Sequence, residues 1–140
     1  MYSVHHIALS VINREESVSF YKKLGFDEVL LWEAEDKSLS ITHLKNEQIV
    51  LELFCYANHI SAPESIASTS ADLPIIGTKH FGLRVDSIEQ AKEDLIAKEI
   101  APADIEIVEG RTGIRYFFVK DPSGILVEVV EDKREFNWIL

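Results

Sequence analysis

Two segments of this 140-residue chain repeat one another: His6-Ile-Ala-Leu-Ser-Val11 and His80-Phe-Gly-Leu-Arg-Val85, 74 positions apart. Internal repetition constrains a fold more than composition does, because a supersecondary unit written twice must be built and buried twice. Each segment is a strand-like run opened by a histidine. Each leads at once into a helix-start signal, Asn13 with Glu16 three residues on, and Ser87 with Gln90 three residues on. The spacing predicts helices that begin near Arg14 and Ile88. Val18, Tyr21 and Leu24 give the first an apolar stripe, Ile88, Ala91 and Leu95 do so for the second, and Gly25 supplies a stop for the first.

Three strand-like runs follow each helix. In the first half they are roughly Asp27 to Glu33, Ser38 to Leu44 and Gln48 to Tyr56, separated by the polar turns Glu35-Asp36-Lys37 and Lys45-Asn46-Glu47. In the second they are Ile105 to Glu109, Ile114 to Lys120 and Ile125 to Glu131, broken at Gly110 to Gly113 and at Asp121-Pro122-Ser123-Gly124. The class is α+β and the order βαβββ appears twice, as module one over 1–56 and module two over 79–131 of a single domain spanning 1–140. Residues 57–78 are rich in Ser, Ala and Pro without a sustained period, and read as a long surface connection, either a plain linker or a functional loop. Residues 132–140 form a tail whose end, Phe136-Asn-Trp-Ile-Leu140, is apolar and is expected to dock on its own domain or on a second subunit.

Composition mainly excludes. With 14 basic against 24 acidic side chains the formal charge is −10, which opposes binding to nucleic acid or to an anionic membrane. No apolar run approaches the roughly 20 residues needed to cross a bilayer, and no basic leader precedes the first strand, so a cytoplasmic location is expected. Cys55 is the only cysteine, which rules out an internal disulfide; its apolar surroundings suggest a small core residue.

Period-two alternation sorts each strand into two faces. Ile7, Leu9 and Val11 leave His6, Ala8 and Ser10 opposite; Phe81, Leu83 and Val85 leave His80, Gly82 and Arg84 opposite. In the last strand of each module, Glu52 and Glu128 stand alone among apolar residues, and a buried carboxylate needs a partner. His6 precedes Glu52 by 46 residues and His80 precedes Glu128 by 48. Each module thus offers one imidazole and one carboxylate on the same kind of surface, and two modules about a pseudo-twofold axis would gather all four. Such a set suits a divalent first-row ion. The competing reading is of hydrogen-bonded core histidines and salt-bridged glutamates. His5 should point to the other face, with a surface or supporting role, and His43 and His59 have no matching constellation.

The chain resembles the vicinal oxygen chelate superfamily, which includes glyoxalase I, methylmalonyl-CoA epimerase, thiol-transferring fosfomycin resistance enzymes, extradiol dioxygenases and metal-free bleomycin-binding proteins. The resemblance runs from His5-His6-Ile-Ala-Leu-Ser-Val through Glu15-Glu16-Ser-Val-Ser-Phe-Tyr-Lys-Lys-Leu-Gly-Phe26, Leu51-Glu52-Leu53-Phe54 and Lys79-His80-Phe-Gly-Leu-Arg-Val-Asp86 to Phe118-Val-Lys-Asp-Pro-Ser-Gly-Ile-Leu-Val-Glu128. It implies two βαβββ modules forming a U-shaped, partly open eight-stranded barrel with a central metal cleft. It carries metal-ligand roles to His6, Glu52, His80 and Glu128 for one divalent ion, whether zinc, nickel, cobalt, manganese or iron. This ligand set is most similar to that of glyoxalase I, lactoylglutathione lyase.

The implied chemistry is proton transfer beside a carbonyl, with the metal holding vicinal oxygens and stabilising an enediolate, and with Glu128 and Glu52 as the catalytic pair. Ser10 stands where glyoxalase I carries an arginine for the glutathione carboxylate, and Leu53-Phe54-Cys55-Tyr56 follows Glu52 where glutathione enzymes tend to place an asparagine. A small α-oxo adduct is the implied substrate class, with glutathione disfavoured as its thiol. Arg84 and Ser10 are the candidate substrate-binding residues, Arg84 for an anionic group. An epimerase, a thiol transferase and a non-catalytic small-molecule-binding protein are the alternatives, and a homodimer is the assembly that the resemblance implies.

Overall fold

A computed structural model describes residues 1–135, the side chain of residue 66 excepted. The apolar end of the tail, 136–140, and the docking expected of it lie outside the described residues. The chain forms two compact units. The first comprises Met1–Asp72 together with Asp121–Gly124, the second Leu73–Lys120 together with the chain from Ile125.

The first unit is a four-stranded mixed sheet in the order β1-β4-β3-β2, built from β1 (His6–Ser10), β2 (Asp27–Glu33), β3 (Leu39–Lys45) and β4 (Val50–Tyr56). β1 pairs parallel with β4, and the other two pairings are antiparallel. Helix α1 (Arg14–Lys23) makes the crossover. Asn13 caps it, its side chain accepting from the Glu16 amide at 2.9 Å, and the caps bias the chain toward a helix where the two acidic residues of its first turn also suit the dipole. Leu24, with Gly25 in the left-handed region at φ 92°, ends it: Phe26 N–H reaches the Tyr21 carbonyl and Gly25 N–H that of Lys22. Tyr21, Phe26, Leu44, Leu51 and Leu53 form the heart of this unit's core, all under 2% exposed. Leu51 and Leu53 alternate with the half-buried Glu52 and Phe54, as period two requires.

The second unit repeats the design: β5 (Phe81–Arg84), α3 (Ile88–Ala97), β6 (Val108–Glu109), β7 (Arg115–Lys120) and β8 (Leu126–Glu131), ordered β5-β8-β7-β6, with β5 parallel to β8. Ser87 caps α3 by accepting from the Gln90 amide, and the Glu131 carboxylate accepts from the Ile88 amide at 3.0 Å. Ile88, Leu95, Phe117, Val127 and Val129 are buried. Two βαβββ modules of class α+β are therefore present.

Several local expectations need correction. The connection 57–78 is not devoid of structure: a 3-10 turn covers Glu64–Ala67 and a single turn of helix, α2, covers Thr69–Asp72. The strand expected over Ile105 to Glu109 shrinks to two residues, because Ile105 N–H is engaged by the Pro102 carbonyl in a turn. β5 starts at Phe81, so His80 immediately precedes the strand instead of opening it. Cys55 is only partly buried, its thiol 3.5 Å from the Ile12 carbonyl at the end of β4. No helix among the described residues is long and apolar enough to cross a membrane.

Candidate functional site

Strand register decides which side chains meet in the first unit. β3 and β4 set His43 directly opposite Glu52, so the two share the face away from buried Thr42, Leu44, Leu51 and Leu53. His43 Nε2 lies 2.8 Å from Glu52 Oε2. A carboxylate only accepts, so the imidazole donates. The other oxygen, Oε1, is 3.8 Å from Nε2 of His6, an ion-pair separation too long for a hydrogen bond. On β1 the register partner of Glu52 is Ala8, whose methyl leaves room beside the carboxylate.

His6 is the open member of the group, its side chain 44% exposed against 23% for Glu52. Its Nδ1 lies 2.9 Å from Nδ1 of His5, with the two rings edge to face. One ring must donate and the other accept. When the proton of that contact sits on His6, its Nε2 keeps a lone pair, the form in which an imidazole ligates a metal. His5 thus makes a contact that can fix the tautomer of His6.

The second unit holds the equivalent pair. His80 Nε2 is 3.1 Å from Glu128 Oε2, and Glu128 stands between Gly82 on β5 and Phe118 on β7 in register. Phe118 meets the His80 ring edge-on at 4.8 Å between centroids. A Cβ added at Gly82 would come to 3.6 Å from Glu128 Oε2, ordinary contact. Arg84, two residues along the same face as Gly82, is exposed, and its Nη2 lies 3.5 Å from the Asp132 carbonyl oxygen. Hydrogen bonds from Arg134 first, with Arg84 adding a weaker attraction, hold the Asp132 carboxyl down at about 2. Ser10 ends β1, exposed, opposite Phe54 in register.

The candidates named from the sequence are thus found as two pairs, His6 with Glu52 and His80 with Glu128. Among the described residues no three His, Cys, Asp or Glu side chains form a group that could hold a metal ion. The donor types nonetheless fit one: two imidazoles and two carboxylates are what a divalent first-row ion accepts, and each carboxylate stands beside an imidazole nitrogen on a partly exposed face. The residue that sequence reasoning passed over is His43, and the signal lay in the hairpin register. His59 lines a separate depression of about 340 Å³ with Asn13, Arg14, Lys37 and Tyr56, which none of the candidate ligands touches.

Residues 3–129 match the family described as the glyoxalase/bleomycin resistance protein/dioxygenase superfamily. Among solved structures, SMU.1112c is 29% identical, with a TM-score of 0.75 over 94% of this chain and 99% of that one. The trypanothione-dependent glyoxalase I of Leishmania major is 21% identical, with a TM-score of 0.66 over 95% of this chain and 88% of that one. Lactoylglutathione lyase of Agrobacterium tumefaciens is 23% identical, with a TM-score of 0.62 over 94% of each chain. No curated protein matches the sequence.

Proposed function

Because the chain belongs to the glyoxalase/bleomycin resistance protein/dioxygenase superfamily, we propose that it is a metal-dependent lyase or isomerase of the glyoxalase I kind, acting on the adduct of a thiol and an α-oxo aldehyde. The observation that carries this reading is the matched placement of His6 with Glu52 and His80 with Glu128 at equivalent points of two repeated modules. These four are the proposed ligands of one divalent ion. When bound, such an ion supplies Lewis-acid polarisation of the substrate's oxygens.

The chain's own part is to move a proton. Glu128 and Glu52 are the proton-transfer pair, and to accept a proton from the carbon beside the carbonyl one of them must leave the metal or keep a basic oxygen free, since a fully engaged carboxylate is a poor acceptor. Arg84 presents a guanidinium suited to an anionic group on the thiol part of the substrate. With Ser10 in place of a cation on β1, glutathione loses one anchor, so a different thiol is the proposed carrier. The protein works as a cytoplasmic homodimer in this reading. The exposed apolar run Val29, Leu30, Leu31 and Trp32 on the edge strand β2 supports a partner subunit there.

The test is metal analysis of the purified protein followed by an assay with methylglyoxal hemithioacetals of several thiols, in the presence of nickel, zinc, cobalt or manganese. Metal-dependent turnover of at least one adduct is expected. Tight metal binding without turnover would point to an epimerase, a thiol transferase or a sequestering protein, and failure to bind any of these ions would remove the metal centre.

A further inference from the structure

The two modules differ at one position that matters to the carboxylates. In the first, the residue facing Glu52 across the antiparallel pair is His43; in the second, the residue facing Glu128 is Phe118. Glu52 therefore has its oxygens divided between two imidazoles, Oε2 on His43 at 2.8 Å and Oε1 toward His6 at 3.8 Å. Glu128 meets one imidazole, His80, and Phe118 spends its ring edge-on against that histidine. The His43 side chain is 29% exposed, held between strands whose opposite face is packed core, so its ring is not a freely rotating surface group.

We propose that His43 is a positioning residue for Glu52: by donating to one carboxylate oxygen, it fixes the plane of the carboxylate and leaves the other oxygen turned to the His6 side. This rests on the reading of Glu52 as a metal ligand. Ligating carboxylates held by an outer hydrogen bond lose about 10–100-fold in metal affinity when that bond is removed. The consequence is an asymmetric pair, with Glu52 pre-oriented and Glu128 lacking an equivalent second imidazole among the described residues.

The experiment is metal binding, read without turnover. Cobalt(II) absorption and zinc competition against a chromophoric chelator are measured for the unaltered protein, for His43→Phe, which copies the arrangement of the second module, and for His43→Gln, whose amide can donate from near the same place. The expected result is a loss of about 10–100-fold in His43→Phe, largely recovered in His43→Gln. Unchanged affinity in His43→Phe overturns this inference and leaves the metal centre standing. Equal losses in both variants also overturn it, since a donor alone would then not suffice. No binding by the unaltered protein overturns the metal centre and this inference together. If His43→Phe does not fold by circular dichroism, His43→Ala is read in its place.

Discussion

The Tyr21 hydroxyl donates a 2.8 Å hydrogen bond to the carboxylate of Asp121, one hundred positions further along the chain. Tyr21 is fully buried on α1, and burial first, then the charge of Asp121, pushes its phenol far above the ordinary value of 10. A group whose folded value is raised contributes stability that is complete below its unfolded value. Above pH 10 the unfolded chain ionises Tyr21 while the folded one does not, so stability should fall by about 1.4 kcal/mol per pH unit from this residue. Urea unfolding between pH 8 and 11.5 checks this. Tyr21→Phe should cost about 1–3 kcal/mol at neutral pH and should flatten the alkaline limb; an equally steep limb in the variant would place the titration elsewhere.

Asp132 gives the opposite sign. Held at about 2, chiefly by hydrogen bonds from Arg134, it favours the folded state above its ordinary value of 3.8, and that contribution is lost as pH falls through 2. Arg134→Ala should move the Asp132 carboxyl back toward 3.8, measurable by carbon-13 NMR of the side-chain carboxyl. A value still near 2 would mean that other groups hold it down.

The catalytic assignment predicts that Glu128→Gln keeps the fold and lowers turnover by about 10²–10⁴-fold, the usual worth of a general base. Thermal melting and kcat measured together separate the two effects. Activity within twofold of that of the unaltered protein would remove Glu128 from the proposed proton transfer.

Helix α3 ends like α1, with Ile100 N–H on the Leu95 carbonyl and Glu99 N–H on that of Ile96, but its left-handed residue is Glu99 at φ 60° where α1 has Gly25. A side chain there costs about 1 kcal/mol, so Glu99→Gly should raise the unfolding free energy by about 0.5–1 kcal/mol. A lower denaturation midpoint would contradict this.

The second helix stop shows where the sequence falls silent. Gly25 announces its turn because glycine favours it, whereas Glu99 adopts the same conformation under the pull of two hydrogen bonds and carries no local mark. The helix starts were legible because Asn13 and Ser87 act on their own neighbours. His43 was hidden by register. A turn over Lys45 to Glu47 would set His43 opposite Ile49. The observed loop is wider: Asn46 accepts from the Gln48 and Ile49 amides, Lys45 pairs with Val50, and His43 slides onto Glu52. Alternation fixes which face a residue takes, but the partner across the strand depends on loop width, which polar residues alone do not set.

The Asp121-Pro122-Ser123-Gly124 turn belongs by sequence to the second module and by packing to the first, where Asp121 meets Tyr21 and Ser123 Oγ accepts from the Ile12 amide at 2.8 Å. The repeated stretch 1–56 therefore does not contain all the partners that its own helix and the chain just after its first strand use. A fragment ending in the connection would leave the Tyr21 hydroxyl buried without its acceptor and the Ile12 amide without Ser123, whereas a peptide bearing the turn, added in trans, should restore part of what the cut removes.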